Sequence, residues 1–210
     1  PDQHLNAAYY RNTAIHYFIL DAFVEIALLD SAAHPDDGAE TFFRRTNELR
    51  ELFKFEFYFP RRADYRREIE KRVGDRFGDW EDIVRRDEAS LRDALSDVQL
   101  LVAHGVLRSF VDAYRIVASV LASAGADAVE DENGFLAQCL KTGKQQLLQR
   151  RVFSAESISR SLYQTGLQLA RYRGLLAANQ TAGRQAFHQE FRRISDRLDE
   201  ILAITLAKSD

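Results

Sequence analysis

The chain has 210 residues, of which 46% are hydrophobic and 29% are charged, a composition that indicates one soluble globular domain or one domain with a small appendage. Its formal net charge of -3 and its pI near 6.0 exclude a global basic field, so no nucleic-acid partner is expected. The single cysteine, Cys139, excludes an internal disulfide and is expected in the core, while five scattered histidines lack metal-ligand spacing, so neither a metal nor a cofactor is expected.

Helix-breaking residues are rare, since the chain has only three prolines and ten glycines. Apolar residues recur with the period of a helix over long stretches. We therefore predict an all-α fold, a bundle of about six to eight helices without a sheet, forming a single helical domain over residues 1–210. Because the chain has no methionine and begins with proline, we also expect it to be a piece of a longer protein.

The first predicted helix covers residues 5–29 and ends in a turn-rich loop, 30–38. Apolar side chains lie on almost every side of it, so we expect it to be buried as a spine for the other helices. It is not a membrane span, because Asp21 and Glu25 interrupt its apolar runs and a span needs roughly 20 apolar residues. Its polar side chains would need partners inside the protein: Arg11, Asn12, His16 and Asp21.

His16 and Asp21 have the spacing H-x-x-x-x-D, which resembles the catalytic dyad of glycerolipid acyltransferases, where the aspartate orients the histidine as a general base. In one continuous helix, however, two residues five apart lie roughly 140° apart around the axis and about 7.5 Å apart along it. We therefore favour a role in which His16 hydrogen-bonds Asn12 or a neighbouring helix. The rival hypothesis, an enzyme that uses His16 and Asp21, requires that both side chains converge in a pocket.

The second predicted helix begins near residue 39, and its end is ambiguous. The segment FKFEFYFP, residues 53–60, alternates as a strand does. We favour a helix, because Leu49, Phe53 and Phe57 continue the four-residue spacing found upstream.

An arginine-rich stretch, 61–76, follows directly and also contains acidic residues. The first interpretation is a solvated helix face with ion pairs such as Glu68 with Arg72. The second is a membrane-surface patch, in which phenylalanines enter the bilayer and arginines meet lipid phosphates. The residues of this patch would be Phe57, Phe59, Arg61, Arg62, Arg66 and Arg67.

Several later helices are predicted from their apolar stripes. After a loop at 74–78, a helix is predicted to start at Asp87 and to break near His104 and Gly105, because glycine loosens a helix. The last helix, over 187–205, has the clearest amphipathic pattern.

Polar and small residues mark further boundaries. Asp131 and Ser154 are predicted N-caps, and Gly143 is expected to mark a close helix crossing. Arg150 and Arg151 precede the helix predicted at Ser154, and two guanidiniums beside a helix N-terminus can form an anion site. The alternative, which we favour, is that they are cations at the C-terminus of the preceding helix.

Four sequence blocks together resemble a known family, the C-terminal region of bacterial glycerol-3-phosphate acyltransferases. Their order and spacing run through nearly the whole chain, and their joint occurrence is more specific than any one block. The blocks are YYRNTAIH (9–16), LFKFEFYFP (52–60), LRSFVDAY (107–114) and LQRRVFSAES (148–157).

The resemblance implies a membrane-associated enzyme that transfers an acyl group from acyl-CoA or acyl carrier protein to the 1-hydroxyl of glycerol 3-phosphate, the first step of phospholipid synthesis. The family's catalytic dyad and its other catalytic blocks lie upstream of the Tyr-Tyr-Arg-Asn stretch. His16 and Asp21 therefore do not correspond to that dyad, and no catalytic residue is assigned here.

We interpret the chain as an excised, non-catalytic C-terminal helical domain of such an enzyme, inactive alone. Its expected partner is the missing N-terminal catalytic domain, and acyl-CoA and glycerol 3-phosphate would be met only in the full-length enzyme. We expect a soluble fragment, with the enzyme peripheral to an anionic membrane surface on the cytoplasmic face. The residues that could contact substrate are Arg11, His16, Arg150 and Arg151. The alternative is a free-standing helical adaptor for a protein or a membrane surface, which predicts an initiator methionine and an exposed apolar groove.

Overall fold

A computed structural model of the chain describes the backbone of residues 2–207 and the side chains of residues 15–34 and 36–207. Within that range it has nine α-helices, two short 3-10 turns and no β-strand, so the all-α prediction is confirmed. The helices are α1 (Asp2–Ala32), α2 (Gly38–Phe53), α3 (Arg62–Phe77), α4 (Trp80–Ile83), α5 (Glu88–Asp97), α6 (Ala103–Ser123), α7 (Glu132–Leu148), α8 (Arg160–Tyr172) and α9 (Thr181–Ala207). The 3-10 turns cover Pro35–Asp37 and Ala155–Ser157.

The chain divides into two compact units. Unit 1 contains residues 1–107 and 197–210, and unit 2 contains residues 108–196. Helices α6 and α9 each contribute residues to both units. The prediction of a single domain over residues 1–210 stays a prediction.

Helix α1 is the buried spine of unit 1 from Ile19 onward, as the sequence predicts. Its core side chains are fully buried against the other helices of the unit, and burial of each large apolar side chain contributes about 1.5–3 kcal/mol. The fully buried members are Ala22, Phe23, Val24, Ile26, Ala27 and Leu28.

The predicted continuation of α2 through residue 59 is wrong, because α2 ends at Phe53 and the chain then turns and extends to Pro60. Proline disfavours a helical conformation in the residue before it. The rings of Phe57 and Phe59 are both buried: the centroid of Phe59 lies 5.7 Å from that of Phe23, and the centroid of Phe57 lies 6.3 Å from that of Phe53. Residues two apart share a face in an extended segment but not in a helix.

Two predicted boundaries in unit 1 are displaced. Helix α3 continues through the predicted loop at 74–78 as far as Phe77, and Gly78 then adopts a φ of 86°, which glycine accepts without steric cost. The predicted break near His104 and Gly105 lies instead before Ala103, where α6 begins.

The side chain of Glu25, on α1, fixes where α6 begins. Its carboxylate accepts hydrogen bonds from the backbone N–H groups of Val102 and Ala103, at 2.9 and 2.7 Å, and from Arg76 at 2.6 Å. An N-terminal helix end has unpaired N–H donors that favour an anion. The carboxylate is fully buried, and this burial raises the pKa of Glu25.

Unit 2 confirms several predictions. Asp131 caps α7 by accepting a hydrogen bond from the Gly134 N–H at 3.0 Å. Cys139 is fully buried, which raises the pKa of its thiol to about 12. Gly143 lies at a close crossing of α7 with α8, where it faces the phenolic oxygen of Tyr163.

The prediction at Ser154 is partly wrong. Its hydroxyl accepts a hydrogen bond from the Glu156 N–H at 3.2 Å, but this caps the 3-10 turn Ala155–Ser157. Helix α8 begins only at Arg160. A single cap residue does not determine whether the turn that follows continues as an α-helix.

Arg184, on α9, is a buried arginine in unit 2 that the sequence analysis did not single out. Its guanidinium is fully buried and donates to the carbonyl oxygens of Leu175, Gly125, Asp127 and Ala177 at 2.8–3.0 Å. These carbonyls follow the C-terminal ends of α6 and α8, where the helix dipoles favour a cation. The buried charge is therefore satisfied by backbone oxygens.

Candidate functional site

The four sequence blocks meet in pairs, one pair in each unit. In unit 1 the ring of His16, from the first block, makes an edge contact with Phe57 of the second, with centroids 5.5 Å apart. In unit 2 the third block lies on α6 and holds the fourth, which forms the loop after α7. The blocks that carry the family resemblance therefore maintain local structure in both units.

A buried carboxylate, Asp112, connects the blocks in unit 2. Its Oδ2 accepts hydrogen bonds from the Phe153 N–H at 2.9 Å and from Arg108 Nε at 3.3 Å. Its Oδ1 lies 3.4 Å from Arg115 Nη2. A buried charge is costly unless it is paired, and here two guanidiniums and one amide surround it. We name Arg108, Asp112 and Arg115 with the loop at 149–157 the Asp112 cluster.

The backbone of the loop is also fixed at the end of α7. The N–H of Arg151 donates to the carbonyl of Gln146 at 2.9 Å, and the N–H of Arg150 donates to the carbonyl of Leu147 at 3.0 Å. Arg150 has a φ of 56°. These features define a Schellman motif, in which the residue after the helix adopts the left-handed conformation. Arg115 also donates to the carbonyl of Arg151.

Chemically, the Asp112 cluster is suited to holding a loop. Oδ2 of Asp112 accepts from Arg108 and the Phe153 amide, whereas Oδ1 has an ion-pair contact with Arg115 and no hydrogen bond within the described residues. The side chains of Arg150 and Arg151 are exposed just after the C-terminus of α7, a position that fits cations at a helix end. Their contact with substrate stays a prediction.

His16 and Asp21 contact different partners in unit 1. His16 is exposed, so the expectation of a buried histidine is wrong; the α1 surface at residues 16–18 is turned to solvent. Asp21 accepts a hydrogen bond from Arg72 at 2.8 Å and lies 3.9 Å from Arg76. The third predicted substrate residue of the first block, Arg11, lies outside the described side chains, as does Asn12.

Sequence reasoning missed the ion pairs between α1 and α3. Asp21 and Glu25 are four residues apart, and so are their partners Arg72 and Arg76. The predicted pair of Glu68 with Arg72 is replaced by the pair of Asp21 with Arg72. Matching charge spacings on two helices were the available signal, since residues four apart share a helix face.

The predicted membrane patch is only partly exposed. Phe57 and Phe59 are 7% and 9% exposed and pack with the core aromatics, so they are not available to enter a bilayer. Between them Tyr58 is 89% exposed. The arginines of the patch are all exposed, namely Arg61, Arg62, Arg66 and Arg67.

Ion pairs expected of a solvated face are present on α3. Arg66 Nε donates to Glu70 at 2.9 Å, and Arg67 donates to Asp64 at 2.5 Å. The guanidinium of Arg66 also lies over the ring of Phe43, 4.1 Å from its centroid. None of the helices within the described residues combines the length and apolarity needed to cross a membrane.

Comparison with known proteins finds a matching family profile and similar relatives, and both are described as acyltransferases. The sequence profile described as "Glycerol-3-phosphate acyltransferase C-terminal region" matches residues 1–179. Proteins named "Putative acyltransferase plsB1" from Mycobacterium bovis and from two strains of Mycobacterium tuberculosis are 41% identical over 208 residues, covering 95% of this chain. The chain spans 33% of the length of these relatives. No solved structure matches.

Proposed function

Because the chain belongs to the family of glycerol-3-phosphate acyltransferase C-terminal regions, we propose that it is a non-catalytic part of an enzyme that acylates the 1-hydroxyl of glycerol 3-phosphate. The acyl donor would be acyl-CoA or acyl carrier protein. The partner of the chain would be the catalytic domain of the same protein, and the acyl donor and acceptor would bind there.

The observation that carries this proposal is the way polar side chains are used in the family-like blocks and in helix α1 beside them. Asp112 holds the loop at 149–157, and Asp21 is bound to Arg72. His16 contacts a phenylalanine ring instead of Asp21. A general base needs an oriented partner and access to a proton of the substrate. The arrangement instead supports a scaffold that presents shaped surfaces to the catalytic domain.

The test compares the purified 210-residue chain with the full-length enzyme in an acyl-transfer assay with radiolabelled glycerol 3-phosphate. We expect transfer by the full-length enzyme and none by the chain. In the full-length enzyme, His16→Ala should retain kcat, because among the described side chains the imidazole contacts the ring of Phe57 while Asp21 is bound to Arg72. Transfer by the isolated chain, or loss of transfer in the His16→Ala enzyme with its fold intact, would contradict the proposal.

The same proposal includes peripheral contact with an anionic membrane on the cytoplasmic face. It is supported by the exposed arginines Arg61, Arg62 and Arg67 beside the exposed ring of Tyr58. Tyrosine is favoured at membrane interfaces, and arginine is attracted to anionic lipid surfaces. Flotation of the chain with vesicles containing phosphatidylglycerol, but not with pure phosphatidylcholine vesicles, is the expected result. Equal recovery with both would contradict membrane contact of this kind.

A further inference from the structure

We propose that a pocket between α2 and α3 binds the phosphate of an anionic lipid headgroup. This inference rests on the membrane contact proposed above and makes it specific, since it assigns the contact to one site instead of a diffuse charged surface. We call this site the α2–α3 pocket.

The α2–α3 pocket has a volume of about 340 Å³ and lies wholly within unit 1. A volume of that order falls within the roughly 300–1,000 Å³ of small-molecule sites. The walls from α2 include Phe43 and Asn47, and the walls from α3 include Arg62, Tyr65 and Arg66. Aromatic side walls and a few polar groups are the usual composition of a ligand site.

Two guanidiniums of the pocket are suited to a phosphate. Arg66 is held in place by the ring of Phe43 and by the bond from its Nε to Glu70. A guanidinium has five N–H donors, so the terminal amino groups of Arg66 retain donors for a ligand. Arg62 lies 3.7 Å from Glu51, and 80% of its side chain is exposed, so it can turn toward a ligand. Guanidinium and phosphate pair strongly because their hydrogen bonds are charge-assisted.

One carboxylate, Glu51, also lines the pocket. It is engaged by cations on several sides, since it accepts a hydrogen bond from Lys54 at 3.0 Å and from Arg50 at 3.2 Å. Lys54, then Arg50 and Arg62, lower the pKa of Glu51. Positive charge therefore exceeds negative charge around this wall, as an anion site requires.

The position of the pocket favours a lipid as the source of the phosphate. Arg61 and Tyr58 lie just before Arg62 in the chain, and both are exposed. An exposed tyrosine beside arginines is suited to the headgroup region of a bilayer, where the ring meets an interface that is half apolar. A headgroup in the pocket would be flanked by these side chains.

The experiment is vesicle flotation with phosphatidylcholine vesicles that contain phosphatidylglycerol. The pocket variant is Arg62→Gln with Arg66→Gln. The matched control is Arg61→Gln with Arg67→Gln, which removes the same charge from the same exposed stretch outside the pocket. We expect the pocket variant to lower the partition coefficient roughly tenfold or more, because it removes the charge-assisted hydrogen bonds to the phosphate. The control should lower it only about threefold, because Arg61 and Arg67 lie outside the pocket and contribute only general attraction to the anionic surface.

A third variant, Asn47→Trp, fills the pocket without changing the charge. We expect it to lower partitioning as the charge-removing pocket variant does, while circular dichroism shows an unchanged fold. If the wild-type protein floats, and the pocket variant and the control variant lower flotation equally, the pocket assignment is wrong and general membrane contact stands. If wild-type protein does not float, both proposals fail. Strong binding of inorganic phosphate in calorimetry, with no preference for vesicles, would overturn the lipid assignment.

Discussion

The phenolic oxygen of Tyr163 occupies the space that a side chain on Gly143 would need, since a Cβ atom built on that glycine would lie 2.3 Å from it. The Tyr163 side chain is fully buried, and no described residue accepts a hydrogen bond from its hydroxyl. The two residues therefore form one packing unit where α7 crosses α8.

This contact predicts an energetic coupling. Gly143→Ala should destabilise the protein by about 1–3 kcal/mol, because the added methyl group overpacks the crossing. Tyr163→Phe should be neutral or stabilising, because a buried hydroxyl without a partner is removed. The double variant should recover part of the loss, with a coupling of about 1 kcal/mol. Urea denaturation of the wild type, the two single variants and the double variant measures this coupling as a double-mutant cycle. Strictly additive effects on the free energy of unfolding would contradict the contact.

The buried guanidinium of Arg184 gives a second prediction. Arg184→Met should lower the free energy of unfolding by more than about 3 kcal/mol, because the carbonyl oxygens of four residues lose the donors of a buried guanidinium. Arg184→Lys should recover only part of this loss, because an ammonium group is a compact point charge without the planar fork of donors. Urea midpoints at a constant m value provide the measurement. A Met variant as stable as wild type would contradict this role.

The Schellman motif at Arg150 gives a third prediction. Arg150→Gly should stabilise the protein by up to about 1 kcal/mol, because a left-handed conformation costs a non-glycine residue roughly 1–2 kcal/mol. The matched control is Arg151→Gly, where the conformation is not left-handed and glycine should be neutral or destabilising. Thermal melting compares the two. Equal shifts would show that charge, and not backbone conformation, dominates at this loop.

Glu25 gives a fourth prediction. Glu25→Ala should lower the free energy of unfolding by about 3–5 kcal/mol, because Arg76 would stay partly buried without its carboxylate and two amides at the start of α6 would lose their acceptor. Glu25→Gln should lose less, because it keeps one acceptor oxygen. Hydrogen exchange at Val102 and Ala103 should accelerate in both variants. Unchanged protection of these amides would contradict the capping role.

His188 gives a prediction on pH. Burial, then the charges of Arg192 and Arg115, lowers the pKa of His188 below its ordinary value in the folded protein. The unfolded chain therefore binds this proton first, and stability falls as the pH drops below about 6.5. His188→Gln should remove that part of the slope in a series of urea melts between about pH 7 and pH 5. An unchanged slope would show that His188 does not contribute.

The sequence predicted the helical class, the buried spine and individual caps because each depends on local pattern. The spacing of apolar residues determines a helix face, and Asp131 needed only neighbouring amides to be recognised as a cap. The extended segment after Phe53 was missed because its four-residue spacing continued that of a helix, while the burial of both Phe57 and Phe59 depends on tertiary packing.

The candidate sites were less predictable, because the residues that hydrogen-bond each other in them are distant in the chain. Asp112 is 41 residues from the Phe153 amide, and Arg72 is 51 residues from Asp21. No local pattern joins such pairs. The α2–α3 pocket likewise needs the geometry of two helices, although its arginines were already singled out by composition.

The loop at 149–157 is positioned through its main chain, by Asp112 and Arg115, while the side chains of Arg150, Arg151 and Phe153 point outward. The main-chain contacts thus determine the shape of this surface, while the exposed side chains determine its chemistry. The outward residues can therefore change to suit a different partner while the main chain keeps its position, whereas a change at Asp112 would release the Phe153 amide and leave Arg108 and Arg115 without their shared carboxylate.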